Sequence, residues 1–188
     1  MPTTLSAENF VLGSHAYFAR DGSPITLPSP GTSGPSVIPA DGDASWVEIG
    51  TLKNVRATPA RGDAQEVWAP SPGGLRLKNV IRPKRHLKFN LTSQDVSPLV
   101  IELLFGTGPL TEASATFTPL AQGGALKGWL RFEWYDQTDS KRITVHVYVE
   151  LIVADDTDLD AEKVVEVHFE AQTLLPGVAY TGTLAAAS

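Results

Sequence analysis

Cysteine is absent from the 188-residue sequence, which excludes disulfide bonds, thiolate metal ligands and thiol nucleophiles together. Long apolar runs are absent too, and none approaches the roughly 18 residues that a membrane-spanning helix needs. The first residues, "MPTTLSAENFVLGSH", lack the basic start and apolar centre of a secretion signal. These absences predict a soluble protein, without a membrane segment, that folds in the compartment where it is made.

Basic residues are the minority charge, since 15 Lys and Arg stand against 21 Asp and Glu and give a net charge of -6. An acidic balance argues against a dedicated nucleic-acid-binding protein. The segment "RLKNVIRPKRHLK" is the exception, but it has no aromatic residues between its charges for base stacking, and Pro83 interrupts any continuous basic helix. We therefore expect a solvated loop, or one that contacts an acidic patch on a neighbouring subunit. Its candidate contact residues are Arg76, Lys78, Arg82, Lys84 and Arg85.

Recognised catalytic motifs are also missing from the sequence. It has no G-x-S-x-G elbow, no glycine-rich phosphate loop and no H-E-x-x-H helix, each of which fixes the backbone or the ligands for a known reaction step. Carboxylate pairs such as Glu133 and Glu150 occur on the predicted sheet, as they do on most sheets. The sequence therefore predicts a protein that is not an enzyme and that uses no cofactor.

Two patterns raise the question of a metal site. The loop "ADDTDLDAE" places Asp156, Asp158 and Asp160 at alternate positions, as at the start of a calcium-binding loop. The pattern then fails, because Ala161 stands where the sharp turn needs glycine.

The second pattern is a pair of histidines on adjacent predicted strands. A hairpin centred near Thr157 would place His146 and His168 opposite each other. No third ligand is evident, and a zinc site needs at least three protein ligands. The sequence therefore predicts no metal site.

Proline and glycine are concentrated in two segments. Residues 21–45 hold five prolines among Gly and Ser, a composition that cannot sustain a helix or a central strand. Because the length and the 42% hydrophobic content suit one domain, we predict an N-terminal arm and loop at 1–45 followed by a single β domain at 46–188. The second segment, "WAPSPGGLR" at 68–76, separates two predicted strands, "SWVEIGTLKNVRATP" and "KRHLKFNLT".

The C-terminal half has the strongest strand pattern. Residues 128–136, 141–153 and 163–175 alternate apolar and polar side chains and are separated by short polar loops, which predicts a β-meander. Alternation gives the meander one core face and one solvent face. Four carboxylates fall on the predicted solvent face: Glu133, Glu150, Glu166 and Glu170.

One short helix is predicted at about 97–105. Ser97 is a good N-cap, Pro98 suits the first helical position and Gly106 suits the left-handed residue after the end. Its apolar side chains sweep roughly 240° of the circumference, whereas a surface helix buries a stripe nearer 100°, and only the sector near Glu102 is polar. We expect one face to pack on its own sheet and the other on a neighbouring subunit; the alternative is a helix buried entirely in its own core. The candidate interface residues are Leu99, Val100, Ile101, Leu104 and Phe105.

The order of these elements resembles a known family. "WVEIGTLKNVRATP", a long loop, "LKFNLTSQDVSPLVIELLFGTG" and then a β-meander are similar to the major tail protein, or tail tube protein, of long-tailed bacteriophages. The resemblance covers roughly 45–188. Residues that match the family's opening strand are Trp46, Ile49 and Gly50. Those that match the start and the end of its helix are Ser97, Pro98 and Gly106.

The resemblance implies a mainly β fold, a β-sandwich or barrel with one short helix, whose subunits form hexameric rings stacked into a tube. DNA passes through the tube without specific binding. It implies a place in the virion tail after assembly in the cytoplasm of a bacterial host, with tail terminator, tape-measure and baseplate proteins as further partners. The four carboxylates of the meander are then candidates for the lumen, and the cations of the basic segment for contacts between rings.

Two other functions remain open. A type VI secretion tube protein or another virion joining protein would share the fold and the assembly. A carbohydrate-binding β-sandwich could use Trp68, Trp129, Trp134 and Tyr148 as a sugar platform, although Trp134 is expected on the opposite side of the sheet from Trp129 and Tyr148.

Overall fold

A computed structural model of the chain describes residues 13–61, 65–81, 85–110, 116–121, 124–135, 141–154, 165–174 and 181–184. Eleven strands and one helix lie in these ranges. In chain order they are β1 Gly13–Arg20, β2 Pro24–Ile25, β3 Gly31–Thr32, β4 Val47–Arg61, β5 Gln65–Ser71, β6 Gly74–Ile81, β7 Arg85–Ser93, α1 Pro98–Phe105, β8 Ala125–Tyr135, β9 Lys141–Val153, β10 Val167–Thr173 and β11 Thr181–Leu184.

Six of the strands close into a barrel. Their order is β10-β7-β4-β1-β8-β9, and β10 also pairs with β9, which completes the circle. All six pairings are antiparallel, and β11 extends the sheet beside the first part of β9. The predicted mainly β barrel with one short helix is therefore confirmed.

Strand β1 lies between β4 and β8, inside the segment that the sequence assigned to an arm. Alternation in this strand places Ala16 and Phe18 in the core and His15 and Tyr17 on the outside. Residues 13–20 thus belong to the barrel, and the expected boundary between an arm at 1–45 and a domain at 46–188 does not match the strand pairing. Residues 21–46, with the short β2–β3 pair, do form the expected irregular segment, and it lies over the outer face of β8 and β9.

The predicted meander is confirmed in β8, β9 and β10. Strand β9 has the predicted bounds, and its residues Val147, Val149 and Leu151 point into the barrel. They meet large side chains from the other strands, among them Phe18, Phe132 and Phe169. A barrel of this size has an interior just wide enough for side chains to fill, so the inside of this one is a packed core.

Helix α1 has the predicted bounds and caps. Ser97 Oγ accepts a hydrogen bond from the Val100 N–H, Pro98 starts the helix, and Gly106 ends it in the left-handed conformation with φ 60°. The helix packs against β4 and β9, which lie opposite each other in the six-strand circle, so it crosses one end of the barrel. The described part of the chain holds no helix with the length and hydropathy that a bilayer crossing requires.

Strands β5 and β6 form a separate two-stranded hairpin between β4 and β7. The Pro/Gly-rich segment at 68–76, expected to be a spacer between two strands, is the outer part of this hairpin, with its turn between Ser71 and Gly74. Pro70 is tolerated because each strand of an isolated hairpin has one unpaired edge.

Candidate assembly surfaces

The helix presents a narrower outer surface than the sequence predicted. Leu99 and Val100 are buried in the barrel core together with Leu103, so the prediction that Leu99 and Val100 contact another subunit is wrong. They are buried because the helix closes one end of its own barrel. Ile101, Leu104 and Phe105 remain half-exposed, and the Phe105 ring lies 5.6 Å from that of Phe117.

Glu102, expected in a polar surface sector, is only 2% exposed. Both of its carboxylate oxygens accept hydrogen bonds from the guanidinium of Arg20, the last residue of β1. A buried charge needs such a partner, because the cost of removing it from water is otherwise not offset. The ion pair therefore fixes the helix to the barrel wall.

Three of the four predicted lumen carboxylates lie half-exposed on the outside of the barrel, and each faces a lysine. Glu166 lies 2.6 Å from Lys53, Glu170 2.6 Å from Lys88, and Glu150 3.9 Å from Lys127. The hydrogen bond from Lys53 holds the pKa of Glu166 below its usual value. This surface thus carries paired charges rather than carboxylates alone.

Glu133 differs from the other three, because it is only 4% exposed. Its prediction as a solvent-facing residue is wrong, since the 21–46 segment and the side chains of Arg131, Tyr135 and Lys141 cover this part of β8. Burial alone would raise its pKa, but the Tyr135 hydroxyl at 2.6 Å, Lys141 Nζ at 3.1 Å and the charge of Arg131 together lower it. Glu133 therefore stays ionised as a buried structural carboxylate.

Arg131 holds the 21–46 segment against the barrel. Its guanidinium carbon lies 4.3 Å from the centre of the Tyr17 ring and 4.7 Å from that of Trp46, so it makes a cation–π contact with each ring. Its Nη1 also donates to the Asp41 carbonyl oxygen at 2.9 Å. We call Tyr17, Trp46, Asp41 and Arg131 the arginine clamp.

His146 lies beside the clamp. Its Nε2 is 3.3 Å from Asp41 Oδ1, and its ring centre is 5.6 Å from that of Trp46. Burial lowers the pKa of His146, and the attraction of Asp41 offsets this only in part. The sequence analysis did not predict the clamp. The available signal was that two large aromatic residues, Trp129 and Tyr148, lie on a face expected to be solvated, which indicates that another segment covers this face.

The two histidines proposed as an opposed pair are far apart in register. Glu170 pairs with Ile152, and the Ala154 N–H donates to the His168 carbonyl oxygen, so His168 lies beyond the end of β9. His146 lies near the other end of β9, where it pairs with Thr181. Their predicted opposition is wrong because the hairpin is centred four residues later than expected. In the described ranges no group of three or more His, Asp or Glu residues could hold a metal; Asp156, Asp158 and Asp160 lie outside those ranges.

The aromatic residues considered for sugar binding do not form a platform. Trp129 and Tyr148 do share a face, with ring centres 5.4 Å apart, but both are buried, and Trp129 Nε1 donates to the Gly34 carbonyl at 2.8 Å. Trp134 points to the barrel core, as predicted. Trp68 lies on the β5–β6 hairpin, so the four rings do not share one surface.

The β5–β6 hairpin carries the most exposed apolar surface that the structure describes. Trp68 pairs with Leu77 and Pro70 with Leu75, so these four side chains share one face, which we call the apolar hairpin face. Trp68, Leu75 and Leu77 are 51%, 71% and 44% exposed. Of the predicted contact cations, Arg76 and Lys78 lie exposed on β6; Arg82 and Lys84, with the side chain of Arg85, lie outside the described residues.

A groove lies between the start of β4 and the N-terminus of α1. Its volume is about 540 Å³, and Val47, Val96 and Leu110 supply apolar walls, with Glu48 and Asp95 as the charged residues among its described lining. We call it the α1 groove.

A search against models of protein families found no match for the sequence, and a search against curated protein sequences found none either.

Proposed function

We propose that this chain is a structural virion protein, the subunit of a tail tube built from stacked hexameric rings. The observation that carries the proposal is the apolar hairpin face, which stands outside the barrel without support from it. The β5–β6 hairpin pairs only with itself among the described strands. A lone two-stranded hairpin is marginally stable in water, and exposed apolar patches of this kind mark protein–protein contacts.

The position of the hairpin suits a contact between subunits. It is inserted between β4 and β7, two neighbouring barrel strands, and a strand of seven residues spans roughly 23 Å. The hairpin is thus long enough to project from the barrel toward a neighbouring subunit. The outer residues of α1, which are Ile101, Leu104 and Phe105, supply a second apolar surface for contacts within a ring.

The charges of the chain agree with a conduit for DNA. The net charge is -6, and the carboxylates Glu150, Glu166 and Glu170, each with its lysine partner, form a surface with no excess of cations to bind a phosphate backbone. In this proposal DNA passes without specific binding, and the role of the chain is structural rather than catalytic. The tube is assembled in the cytoplasm of a bacterial host, with tail terminator, tape-measure and baseplate proteins as further partners.

Electron microscopy of the purified protein in negative stain tests this proposal. We expect rings or tubes roughly 100 Å wide, a width scaled from six compact chains of this size. The variant Leu75→Ser should assemble poorly, because it removes the most exposed apolar side chain of the hairpin. Leu120→Ser is the matched control, since Leu120 is 86% exposed outside the hairpin. Protein that shows only dispersed single chains at high concentration would contradict the proposal.

A further inference from the structure

We propose that the 21–46 segment is a pH-sensitive cover, which opens in mild acid while the barrel beneath it stays folded. The inference concerns the single chain and does not depend on the tail-tube proposal. Opening exposes a second apolar cluster, separate from the barrel core, on the outer face of β1, β8 and β9. The buried members of this cluster are Ala19, Trp129 and Tyr148, and Ile38 and Trp46 of the segment pack against them.

The 21–46 segment is held together by its own hydrogen bonds. Its strands β2 and β3 pair with each other and with no other described strand. Asp43, which is only 5% exposed, accepts hydrogen bonds from the N–H groups of Thr26 and Leu27. The segment can therefore move as a unit without losing these bonds. Parts of a protein that make few contacts with the rest open at a smaller free-energy cost than the whole domain.

Side chains of β8 and β9 hold the segment closed. At one point Trp129 Nε1 donates to a main-chain carbonyl oxygen of the segment at 2.8 Å. At another, Arg131 donates to the carbonyl oxygen of Asp41. The Asp41 carboxylate lies 3.5 Å from Lys141 Nζ and 3.3 Å from His146 Nε2. Of these groups, only the imidazole changes its charge between pH 7.5 and 5.5, because the ordinary histidine pKa near 6.5 lies in this range.

The imidazole of His146 lies at the contact between the segment and the barrel. Its side chain is 12% exposed, and the Trp46 ring lies 5.6 Å away. Strand β11, which pairs with β9 beside His146, contains no titratable residue. The titratable and charged groups around the imidazole are Asp41 of the segment, Arg131 and Glu133 of β8, Lys141 of β9, which shares Asp41, and Tyr17 of β1, which contacts Arg131.

These surroundings determine the direction of the pH effect. Burial is the largest influence on His146 and lowers its pKa, and the charge of Arg131 acts in the same direction. Opening brings water to both groups, so the open state takes up a proton that the closed state resists. The attraction of Asp41 offsets burial only in part. Because an exposed imidazole has a pKa near 6.5, lowering the pH from 7.5 to 5.5 should raise the opening equilibrium constant by up to about tenfold.

Two alanines of β1 provide matched probes in a chain without cysteine. Both are 0% exposed, but Ala19 lies beneath the segment and Ala16 lies in the barrel core. Ala19→Cys and Ala16→Cys chains are labelled with a methanethiosulfonate reagent at pH 7.5 and 5.5. Each rate is divided by that of the same variant unfolded in urea at the same pH. We expect the protection of the thiol in Ala19→Cys to fall by up to about tenfold in acid, and that in Ala16→Cys to stay constant.

A second substitution identifies the group that responds to pH. His146→Gln in the Ala19→Cys chain should remove the pH effect. His168→Gln is the matched control and should keep it, because His168 contacts Thr92 on a part of the barrel that the segment does not cover. Protection in Ala19→Cys that is constant or rises in acid overturns the proposal. Equal losses in Ala19→Cys and Ala16→Cys also overturn it, because they show that the whole barrel opens.

Acrylamide quenching of tryptophan fluorescence tests the same opening in the natural chain, without a variant that must fold. Trp46 and Trp129 become accessible when the segment opens, whereas Trp68 is 51% exposed in the closed state already. We expect stronger quenching at pH 5.5 than at pH 7.5, with an unchanged far-ultraviolet circular dichroism spectrum. Equal quenching at the two pH values would contradict the proposal.

Discussion

Arg20 and Glu102 form a bidentate ion pair that joins the end of β1 to the middle of α1, across 82 residues of sequence. The carboxylate side is almost completely buried and the guanidinium side largely so. The pair lies where the helix crosses the barrel, so it sets the position of α1 and of the α1 groove that begins at its N-terminus. The stability of this end of the barrel should therefore depend on the ion pair between Arg20 and Glu102.

Arg20→Ala should lower the free energy of unfolding by about 3–5 kcal/mol, because it leaves the Glu102 carboxylate buried without its partner. Urea denaturation followed by circular dichroism measures this. Lys127→Ala is the matched control, since Lys127 and Glu150 form a loose surface pair at 3.9 Å and such pairs contribute about 0–1 kcal/mol. Equal losses in the two variants would show that the Arg20–Glu102 pair does not hold the helix.

Gly50→Ala should destabilise the barrel more than Gly73→Ala. Both glycines have positive φ, at +118° and +92°, so both variants carry a backbone penalty of about 1–3 kcal/mol. Only at position 50 does the new methyl group meet another atom, because nothing lies within 4 Å of a Cβ at position 73. The difference between their unfolding free energies measures the close approach of β4 to Asp95, and a difference of zero would contradict it.

Stability should fall as the pH is lowered from about 7.5 to 5.5. Because burial lowers the pKa of His146, the unfolded chain binds a proton that the folded chain resists, and stability is lost as the pH falls below the ordinary histidine pKa near 6.5. The lowered pKa of Glu133 acts in the same direction below about pH 4.5. The charged groups that act on the pKa of His146 include Asp41 and Glu133, which raise it, and Arg131, which lowers it.

Thermal melting across this pH range measures the effect. His146→Gln should flatten the curve between pH 7.5 and 5.5, while His86→Gln, on strand β7 away from the clamp, should leave it unchanged. If His146→Gln keeps the full slope of the natural protein, the buried imidazole is not its source.

Two substitutions on the same helix separate assembly from folding. Ile101→Asp should leave a folded chain that no longer assembles, because Ile101 is half-exposed on the outer side of α1. Leu103→Asp should unfold the domain, because Leu103 is buried in the barrel core and an unpaired charge there is costly. Circular dichroism and light scattering report the two properties. An Ile101→Asp chain that unfolds would mean that the whole helix is core.

Local signals predicted the bounds of α1 and of β9. The bounds of α1 follow from Ser97, Pro98 and Gly106, whose capping preferences are properties of the residues themselves. Strand β9 follows from thirteen residues of unbroken alternation. The alternation of Ala16 and Phe18 with His15 and Tyr17 was also present in the sequence, but β1 was assigned to an arm because the Pro/Gly-rich segment follows it.

Features that depend on distant parts of the chain were not predicted. Glu102 looked like a surface residue because its partner, Arg20, is 82 residues away. Glu133 looked solvated because alternation shows which face a residue occupies and not whether another segment covers that face. The register of His168 against β9 depends on where the hairpin that joins the two strands is centred. A shift of this centre by four residues places His168 beyond the end of β9, away from His146.

Native mass spectrometry of the purified chain tests the central claim most directly. A tail tube subunit should give particles whose mass is six times that of the 20.1 kDa chain, or multiples of that ring, and Leu75→Asp should shift these particles toward the single chain. A natural protein that gives only the mass of one chain at every concentration, or only two-fold dimers that Leu75→Asp does not affect, would contradict the claim.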